Sequence, residues 1–186
     1  MGLVSLSGPH NDTKPMINTP MGKEAHPMPA QIPCLWFDDQ AEQAAQLYTQ
    51  VFPNSTIDGI TRYGPDTPGT EGSVLTVEFT LDGTKYTGLN GGPQFTFSEA
   101  ISFQIMCADQ AEVDHYWTKL SEGGEESQCG WLKDRFGLSW QVVPTRLYEL
   151  LQDPDPDRVN RAMQAMLQMR KLVIADLERA ADAVPA

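Results

Sequence analysis

The side chains best suited to nucleophilic or transition-metal chemistry are few in this sequence and widely spaced. They are three cysteines and three histidines: Cys34, Cys107, Cys129, His10, His26 and His115. The cysteines do not have the paired spacing of a zinc site. No histidine or lysine is placed by the sequence to activate a thiol. We therefore expect inert thiols and a surface histidine at His115, and the sequence names no catalytic residue.

The charge of the chain limits its partners. A formal net charge of -12 and a pI near 4.5 disfavour nucleic acids and anionic membranes, which would be repelled at neutral pH. No apolar run approaches the length of a membrane helix. Three cysteines cannot all pair within one chain, so a reducing compartment is the simplest expectation. The sequence thus predicts a cytoplasmic protein.

The elements that must position any functional side chain show an internal repeat. Residues 39–42, Asp-Gln-Ala-Glu, recur seventy positions later as residues 109–112. Each copy follows a short strand-like segment, residues 32–37 and residues 101–107, and precedes a helix pattern. A short carboxylate suits a helix N-terminus, so Asp39 and Asp109 are the predicted N-caps.

Both halves continue in the same way after these helices. The first helix buries Tyr48 and ends before Pro53, and the second buries Trp117 and ends at Gly123. Strand patterns follow at residues 56–63, 74–81 and 84–89 in the first half, and at residues 126–133 and 138–143 in the second, where a third strand is harder to recognise. The sequence therefore predicts two βαβββ modules.

The chain divides into four segments. Residues 1–27 are predicted to be a disordered leader, 28–92 the first module, 93–144 the second module, and 145–186 a C-terminal helical extension. In the extension, a short helix at residues 147–151 and a proline-rich break precede one long helix with an apolar stripe. The stripe comprises Val159, Met163, Met166, Met169 or Arg170, Val173 and Leu177. It is expected to pack on its own domain or on a dimer partner.

Five segments carry a resemblance to a known protein family: residues 34–37 (CLWF), 52–55 (FPNS), 89–93 (LNGGP), 129–134 (CGWLKD) and 137–141 (GLSWQ). On these segments the chain resembles the PhnB-like proteins of the glyoxalase, bleomycin-resistance and dioxygenase superfamily, also called the vicinal-oxygen-chelate superfamily. These proteins are often filed under the name 3-demethylubiquinone-9 3-methyltransferase. The resemblance implies an α+β fold in which two βαβββ modules form a curled mixed sheet around a cavity, with the C-terminal helix added.

The resemblance also marks where a metal would bind. Superfamily enzymes that use a metal take His, Gln or Glu from the first and last strands of each module. The matching positions here are Ile32, Ser102 and Gln141, and residues 86–88 supply neither carboxylate nor imidazole. One amide and one hydroxyl would hold a transition metal poorly. We expect no metal and no cofactor.

Strand alternation then predicts a ligand pocket, because side chains two residues apart share a sheet face. The predicted lining residues are Cys34, Trp36, Ser102, Gln104, Ser139 and Gln141. Trp36, Gln104 and Gln141 are expected to face one shared cavity, with water or ligand between the two glutamines. The alternative is that these side chains merely fill the barrel interior.

Three functions remain open on this evidence. The first is binding of a small organic molecule in a metal-poor pocket. The second is an enzyme: a methyltransferase, as the family name states, or an isomerase, lyase or resistance factor. No glycine-rich loop for a nucleotide-type methyl donor is visible. The third is a dimeric interaction protein with a vestigial pocket. A homodimer is expected in each case, since superfamily members commonly pair.

Overall fold

The computed structural model describes residues 30–183 and contains two four-stranded mixed sheets. The first sheet is formed by β1 (Cys34–Phe37), β2 (Thr56–Arg62), β3 (Val74–Leu81) and β4 (Thr84–Asn90), with α1 (Ala41–Val51) between β1 and β2. Its strand order is β1-β4-β3-β2, with β1 parallel to β4 and the other pairs antiparallel. The strands of the first predicted module are all present.

The second sheet repeats this topology. It is formed by β5 (Phe103–Cys107), β6 (Glu125–Glu126), β7 (Trp131–Lys133) and β8 (Ser139–Pro144), with α2 (Gln110–Ser121) after β5. The order is β5-β8-β7-β6. The predicted α+β fold of two βαβββ modules is thus confirmed. The strand expected at residues 126–133 is two short strands, because Cys129 and Gly130 adopt left-handed backbone conformations, with φ of 58° and 84°.

The two helices that follow the repeated sequence are capped differently. The Asp109 side chain accepts a hydrogen bond from the Glu112 backbone N–H at 2.9 Å, which confirms the predicted cap. The Asp39 prediction is wrong, because α1 begins after Gln40 and has no side-chain cap from that residue. Instead Asn90 Oδ1, at the end of β4, accepts from the Ala41 N–H at 2.9 Å. The first helix is capped by its own sheet.

One core joins the two modules through their helix-bearing faces. Alternate residues of β1, Leu35 and Phe37, are buried on the side of α1, while their neighbours are not. The Tyr48 ring on α1 contacts the Trp140 ring on β8 at a centroid distance of 5.4 Å. Because the helix-bearing faces meet here, the opposite face of each sheet, called its open face below, points outward. The two open faces therefore point away from each other within one chain.

A buried carboxylate connects the modules at this contact. Asp134 is 2% exposed, and its Oδ2 accepts from the Tyr48 hydroxyl at 2.7 Å and from Trp140 Nε1 at 2.9 Å. Its Oδ1 accepts from the backbone N–H groups of Phe136 and Leu138 at 2.9 and 3.0 Å. Burial raises the pKa of Asp134, and the four donors oppose that rise.

The C-terminal extension contains α3 (Thr145–Leu151), α4 (Pro156–Leu167) and α5 (Ile174–Asp182). The helical extension is confirmed, but the predicted long helix is wrong, because residues 168–173 separate α4 from α5. In this break the carbonyls of Met169 and Arg170 accept from the N–H groups of Cys129 and Gly130 at 2.7 and 2.8 Å. Backbone groups that a continuous helix would use internally thus anchor the extension to the second module.

The apolar stripe of the extension does not form one continuous free surface. Leu177 is fully buried within the chain, and Met166 packs partly buried against the same cluster as Val143 and Leu150. The extension therefore covers its own module. In the part of the chain that the structure describes, no helix is long and apolar enough to cross a membrane.

Removing the acceptor that joins the modules should cost more stability than removing one donor. We expect Asp134→Asn to lower the free energy of unfolding by about 2 to 4 kcal/mol, because an amide N–H₂ replaces one acceptor oxygen and faces the indole N–H. Tyr48→Phe should cost about 1 to 2 kcal/mol, since it removes a single hydrogen bond. Urea unfolding measures both. Glu122→Gln, which alters only an exposed 3.7 Å ion pair with Arg135, is the control. Equal costs for Asp134→Asn and Glu122→Gln would contradict the assignment.

Candidate functional site

Polar side chains form two rows across the open face of the second sheet. The strand register places Gln104 beside Gln141 and Gln141 beside Trp131. In the next row Ser139 lies beside Lys133, and Ser102 precedes the first residue of β5. The structure thus brings together four of the six predicted lining residues: Ser102, Gln104, Ser139 and Gln141.

A directional chain of hydrogen bonds connects three of these four residues. The Tyr148 hydroxyl donates to Gln104 Oε1 at 3.4 Å, and Gln104 Nε2 donates to Gln141 Oε1 at 3.2 Å. Gln141 Nε2 then donates to the Ser102 hydroxyl at 2.8 Å. The expectation that water or ligand separates the glutamines is wrong, because they bond to each other directly. The face is therefore preorganised by neutral groups.

Next to these rows lies a cavity of about 480 Å³. The residues that line it are Glu99, Glu125, Glu126, Ser127, Gln128, Cys129, Trp131, Leu132, Lys133 and Ser139. Lys133 Nζ forms an ion pair with Glu99 Oε1 at 2.6 Å. The hydrogen bond between the two groups raises the pKa of Lys133 and lowers the pKa of Glu99. The cavity thus combines an indole, a hydroxyl and a charged rim.

The hydroxyl of Ser139 has no hydrogen-bond partner among the described residues, although Ser139 is only 1% exposed. It is the one buried side-chain polar group in the described part of the chain with this property. A buried hydroxyl without a partner costs about 1 to 3 kcal/mol. Buried polar groups in native structures are otherwise paired, so an unpaired one beside a cavity indicates a position where something else can bond to it.

The other two predicted lining residues, Cys34 and Trp36, lie on the open face of the first sheet. Trp36 Nε1 donates to the Gly92 carbonyl at 2.8 Å, and its ring meets Phe95 edge-on at 5.0 Å. The ring lies against Gly91, where a Cβ would come within 2.2 Å of it. Because the open faces point apart, Trp36 does not share a cavity with Gln104 and Gln141 within one chain. Strand alternation predicts which side chains share a face of one sheet. It does not predict how the two sheets are oriented relative to each other.

The positions that the resemblance marks for a metal do not form a donor set suited to a transition metal. Ser102 and Gln141 are bonded to each other, and Ile32 is an exposed aliphatic residue. Hydroxyl and amide donors alone bind zinc, iron or nickel poorly. Residues 30–183 also contain no group of three or more His, Cys, Asp or Glu side chains that could hold an ion.

Of the candidates for nucleophilic chemistry, Cys129 is half-exposed and lies in the cavity lining, whereas His115 and Cys107 do not. His115 is on α2, and its Nε2 lies 3.0 Å from the Val51 carbonyl oxygen. Cys107 is buried, and burial together with the nearby Glu112 and Asp109 raises its pKa to about 12. Such a thiol stays protonated and unreactive at neutral pH.

Sequence reasoning predicted only Ser139 among the residues that line the cavity, and the missed residues include Trp131, Lys133 and Glu99. Trp131 and Lys133 alternate on β7, but the sequence pattern predicts one strand over residues 126–133, so the separate pairing of β7 with β8 does not follow from it. The parity of the segment WLKD, residues 131–134, was the available signal, because it alternates between the open face and the core. Glu99 comes from the connection between the modules, where no periodicity applies.

Comparison with known proteins identifies one matching family model and several similar structures. A family model described as 3-demethylubiquinone-9 3-methyltransferase matches residues 29–143. A putative 3-demethylubiquinone-9 3-methyltransferase, PhnB protein, from Bacillus cereus is similar at 32% identity, with a TM-score of 0.59, over 63% of this chain and 100% of that one. Protein PA1353 from Pseudomonas aeruginosa has 19% identity and a TM-score of 0.52 over 61% of this chain and 96% of that one. No curated protein matches.

Removing the unpaired Ser139 hydroxyl should not destabilise the folded protein. We expect Ser139→Ala to leave the free energy of unfolding unchanged or to raise it by up to about 1 kcal/mol, because a buried polar atom without a partner is lost. Urea unfolding of the full chain checks this. The matched control is Ser102→Ala, which removes the acceptor of Gln141 and should lower stability by about 0.5 to 1.5 kcal/mol. A loss of more than about 1 kcal/mol in Ser139→Ala would mean that the hydroxyl is already bonded in the folded chain.

Proposed function

We propose that this chain, which belongs to the 3-demethylubiquinone-9 3-methyltransferase family, binds a small organic molecule on the open face of its second sheet. The observation that carries the proposal is the unpaired Ser139 hydroxyl on the lining of the cavity. A bound molecule can supply the missing hydrogen-bond partner. The cavity volume of about 480 Å³ lies within the range of small-molecule sites.

The side chains around Ser139 suit a flat or amphipathic molecule. Trp131 offers an indole surface in the cavity lining, and Gln104 and Gln141, which lie beside the cavity and outside its lining, present amides that bond to each other. Each amide nitrogen has two N–H groups, and one of them is used in the chain toward Ser102. A ligand therefore meets an apolar wall with a small number of placed polar groups, which is the usual composition of a binding pocket.

Binding is favoured over catalysis by the chemistry of these groups. The serine hydroxyl and the indole do not exchange protons near neutral pH, and no histidine lies in the lining to activate the thiol of Cys129. The one ammonium in the cavity lining, Lys133, is held by Glu99. Since no base is positioned on Ser139 among its described neighbours, the hydroxyl is placed to form hydrogen bonds and not to act as a nucleophile.

We also propose that two copies of the chain complete the binding cleft. The predicted site is divided between two outward faces, with Cys34 and Trp36 on one and Gln104 and Gln141 on the other. Both β1 and β5 are edge strands. In a two-fold dimer, the first sheet of one copy can lie beside the second sheet of its partner, and the reverse contact forms by symmetry. The predicted site would then be whole and would occur twice.

Exposed apolar residues near these edges support the dimer. Ile101 is 71% exposed immediately before β5, and Met106 on β5 is 45% exposed. Ile32 before β1 and Phe95 against Trp36 are also exposed. Large apolar side chains grouped at an unpaired strand edge are typical of a surface that a partner covers.

The binding proposal predicts that the full chain takes up one small planar molecule per cavity. Native mass spectrometry of freshly purified protein should show a bound organic mass or uptake from a panel of planar, hydrogen-bonding molecules. Trp131→Ala should weaken uptake about tenfold or more, because the apolar wall is lost. Ile60→Ala, which shortens an exposed apolar side chain on the first sheet, is the matched control and should change nothing. Equal weakening by both variants would refute the site.

The dimer proposal predicts a specific response to charge at the β5 edge. Light scattering should give a dimer for the natural chain, and the double substitution Ile101→Glu, Met106→Glu should shift it to monomer. Buried carboxylates without partners are too costly for an interface to tolerate. Leu167→Glu alters an equally exposed apolar residue on α4 and should leave the dimer intact. A natural chain that is monomeric at working concentration would refute the pairing.

A further inference from the structure

We infer that the cavity on the second sheet selects planar molecules that are cationic or neutral and discriminates against anions. This inference rests on the proposed binding function and adds the chemical class of the ligand to it. Three independent features of the cavity carry it: the sign of the charges that line it, the indole of Trp131 and the unpaired hydroxyl of Ser139.

The charged residues in the lining are predominantly acidic. Glu99 and Glu125 contribute carboxylates and Lys133 contributes the single ammonium, while the Glu126 carboxylate accepts from Trp117 Nε1 at 2.9 Å. Lys133 lies between two of these carboxylates, with the Glu99 side chain at 2.6 Å and Glu125 opposite it in the β6–β7 register. An incoming anion would have to displace Glu99 from Lys133 and would still face the carboxylate of Glu125. A cation can pair with Glu125 without displacing Lys133 from Glu99.

The indole of Trp131 reinforces this preference. Its side chain lies beside Gln141 in the strand register and is part of the cavity lining. The face of an indole ring carries negative electrostatic potential, so it attracts a cation placed over it and also stacks on flat apolar rings. It offers nothing comparable to an anion. The same wall therefore accepts planar neutral and planar cationic molecules.

The Ser139 hydroxyl orients the ligand without selecting its charge. A hydroxyl can donate or accept, so it can bond to an amine, an amide or a carbonyl group. It lies beside Lys133 on the neighbouring strand, below the acidic rim. A ring with one hydrogen-bonding substituent toward Ser139 and a positive group toward Glu125 gives the unpaired hydroxyl a partner and leaves the Lys133–Glu99 pair intact.

Three ring-matched probes test the inference directly on the full chain. They are 2-naphthylmethylamine as the cation, 2-naphthamide as the neutral molecule and 2-naphthoate as the anion. Calorimetry at low salt should give the tightest binding for the cation and about tenfold weaker binding for the anion. Because the carboxylates lie at the exposed edge of the cavity, added salt should lower the affinity for the cationic probe and leave the affinity for the neutral probe unchanged.

Variants distinguish the effect of the Glu99 and Glu125 carboxylates from the effect of the hydrogen bond to Ser139. The double substitution Glu99→Gln, Glu125→Gln should abolish the discrimination, with the anion binding at least as tightly as the neutral probe. Ser139→Ala should lower the affinity for all three probes to a similar extent, about five- to tenfold. Glu122→Gln removes an exposed carboxylate outside the lining and should change none of the three affinities.

The possible failures are distinguishable. If the anion binds as tightly as the cation, and Ser139→Ala weakens both, the charge selection is overturned and the binding function stands. If the probes bind and Ser139→Ala leaves their affinities unchanged, the assignment of the cavity as the binding site is overturned. If none of the three probes binds, the proposed function and the inference are both overturned.

Discussion

The carboxylate of Asp134 fixes the orientation of one module against the other, and the position of every candidate site residue depends on that orientation. It accepts from Tyr48 in the first module and from Trp140 in the second, while its own turn supplies two backbone donors. Burial of a carboxylate is costly unless its oxygens are bonded, so this side chain is stable only where the two modules meet. The helix-bearing faces are thereby held together, and both open faces are left on the outside.

This arrangement explains why polar residues can occupy part of the open face of the second sheet. The core needs only one side of each sheet, and alternate residues such as Ile105 and Val142 supply it. The other side of the second sheet holds amides, hydroxyls and an ion pair, next to Val143, which packs against the C-terminal extension. Most of these groups are satisfied locally, so they add little instability. Ser139 is the exception, and its unpaired hydroxyl is a cost that binding can offset.

The repeat and the strand alternation predict much of this from sequence alone, because both are local patterns. They correctly give the two modules, the Asp109 cap and the face shared by Ser102, Gln104 and Gln141. The failures have non-local causes. Asn90 caps a helix 49 residues away in sequence, and backbone donors of the second module interrupt the predicted long helix. Trp36 is directed away from Gln141 by the Tyr48–Asp134 contact, which no local pattern encodes.

The replacement of metal-binding side chains by neutral ones has a consequence for recognition. Ser102 and Gln141 form a hydrogen bond where the resemblance marks metal ligands, so this part of the face carries no formal charge. The nearest charges are those of Glu99, Glu125 and Lys133 around the adjacent cavity. Hydrogen bonds from a neutral floor are directional and weakly sensitive to salt, whereas charges at an exposed rim act over a longer range and are screened. Orientation and charge selection are therefore carried by different residues, and a substitution in one set can change its property while preserving the other.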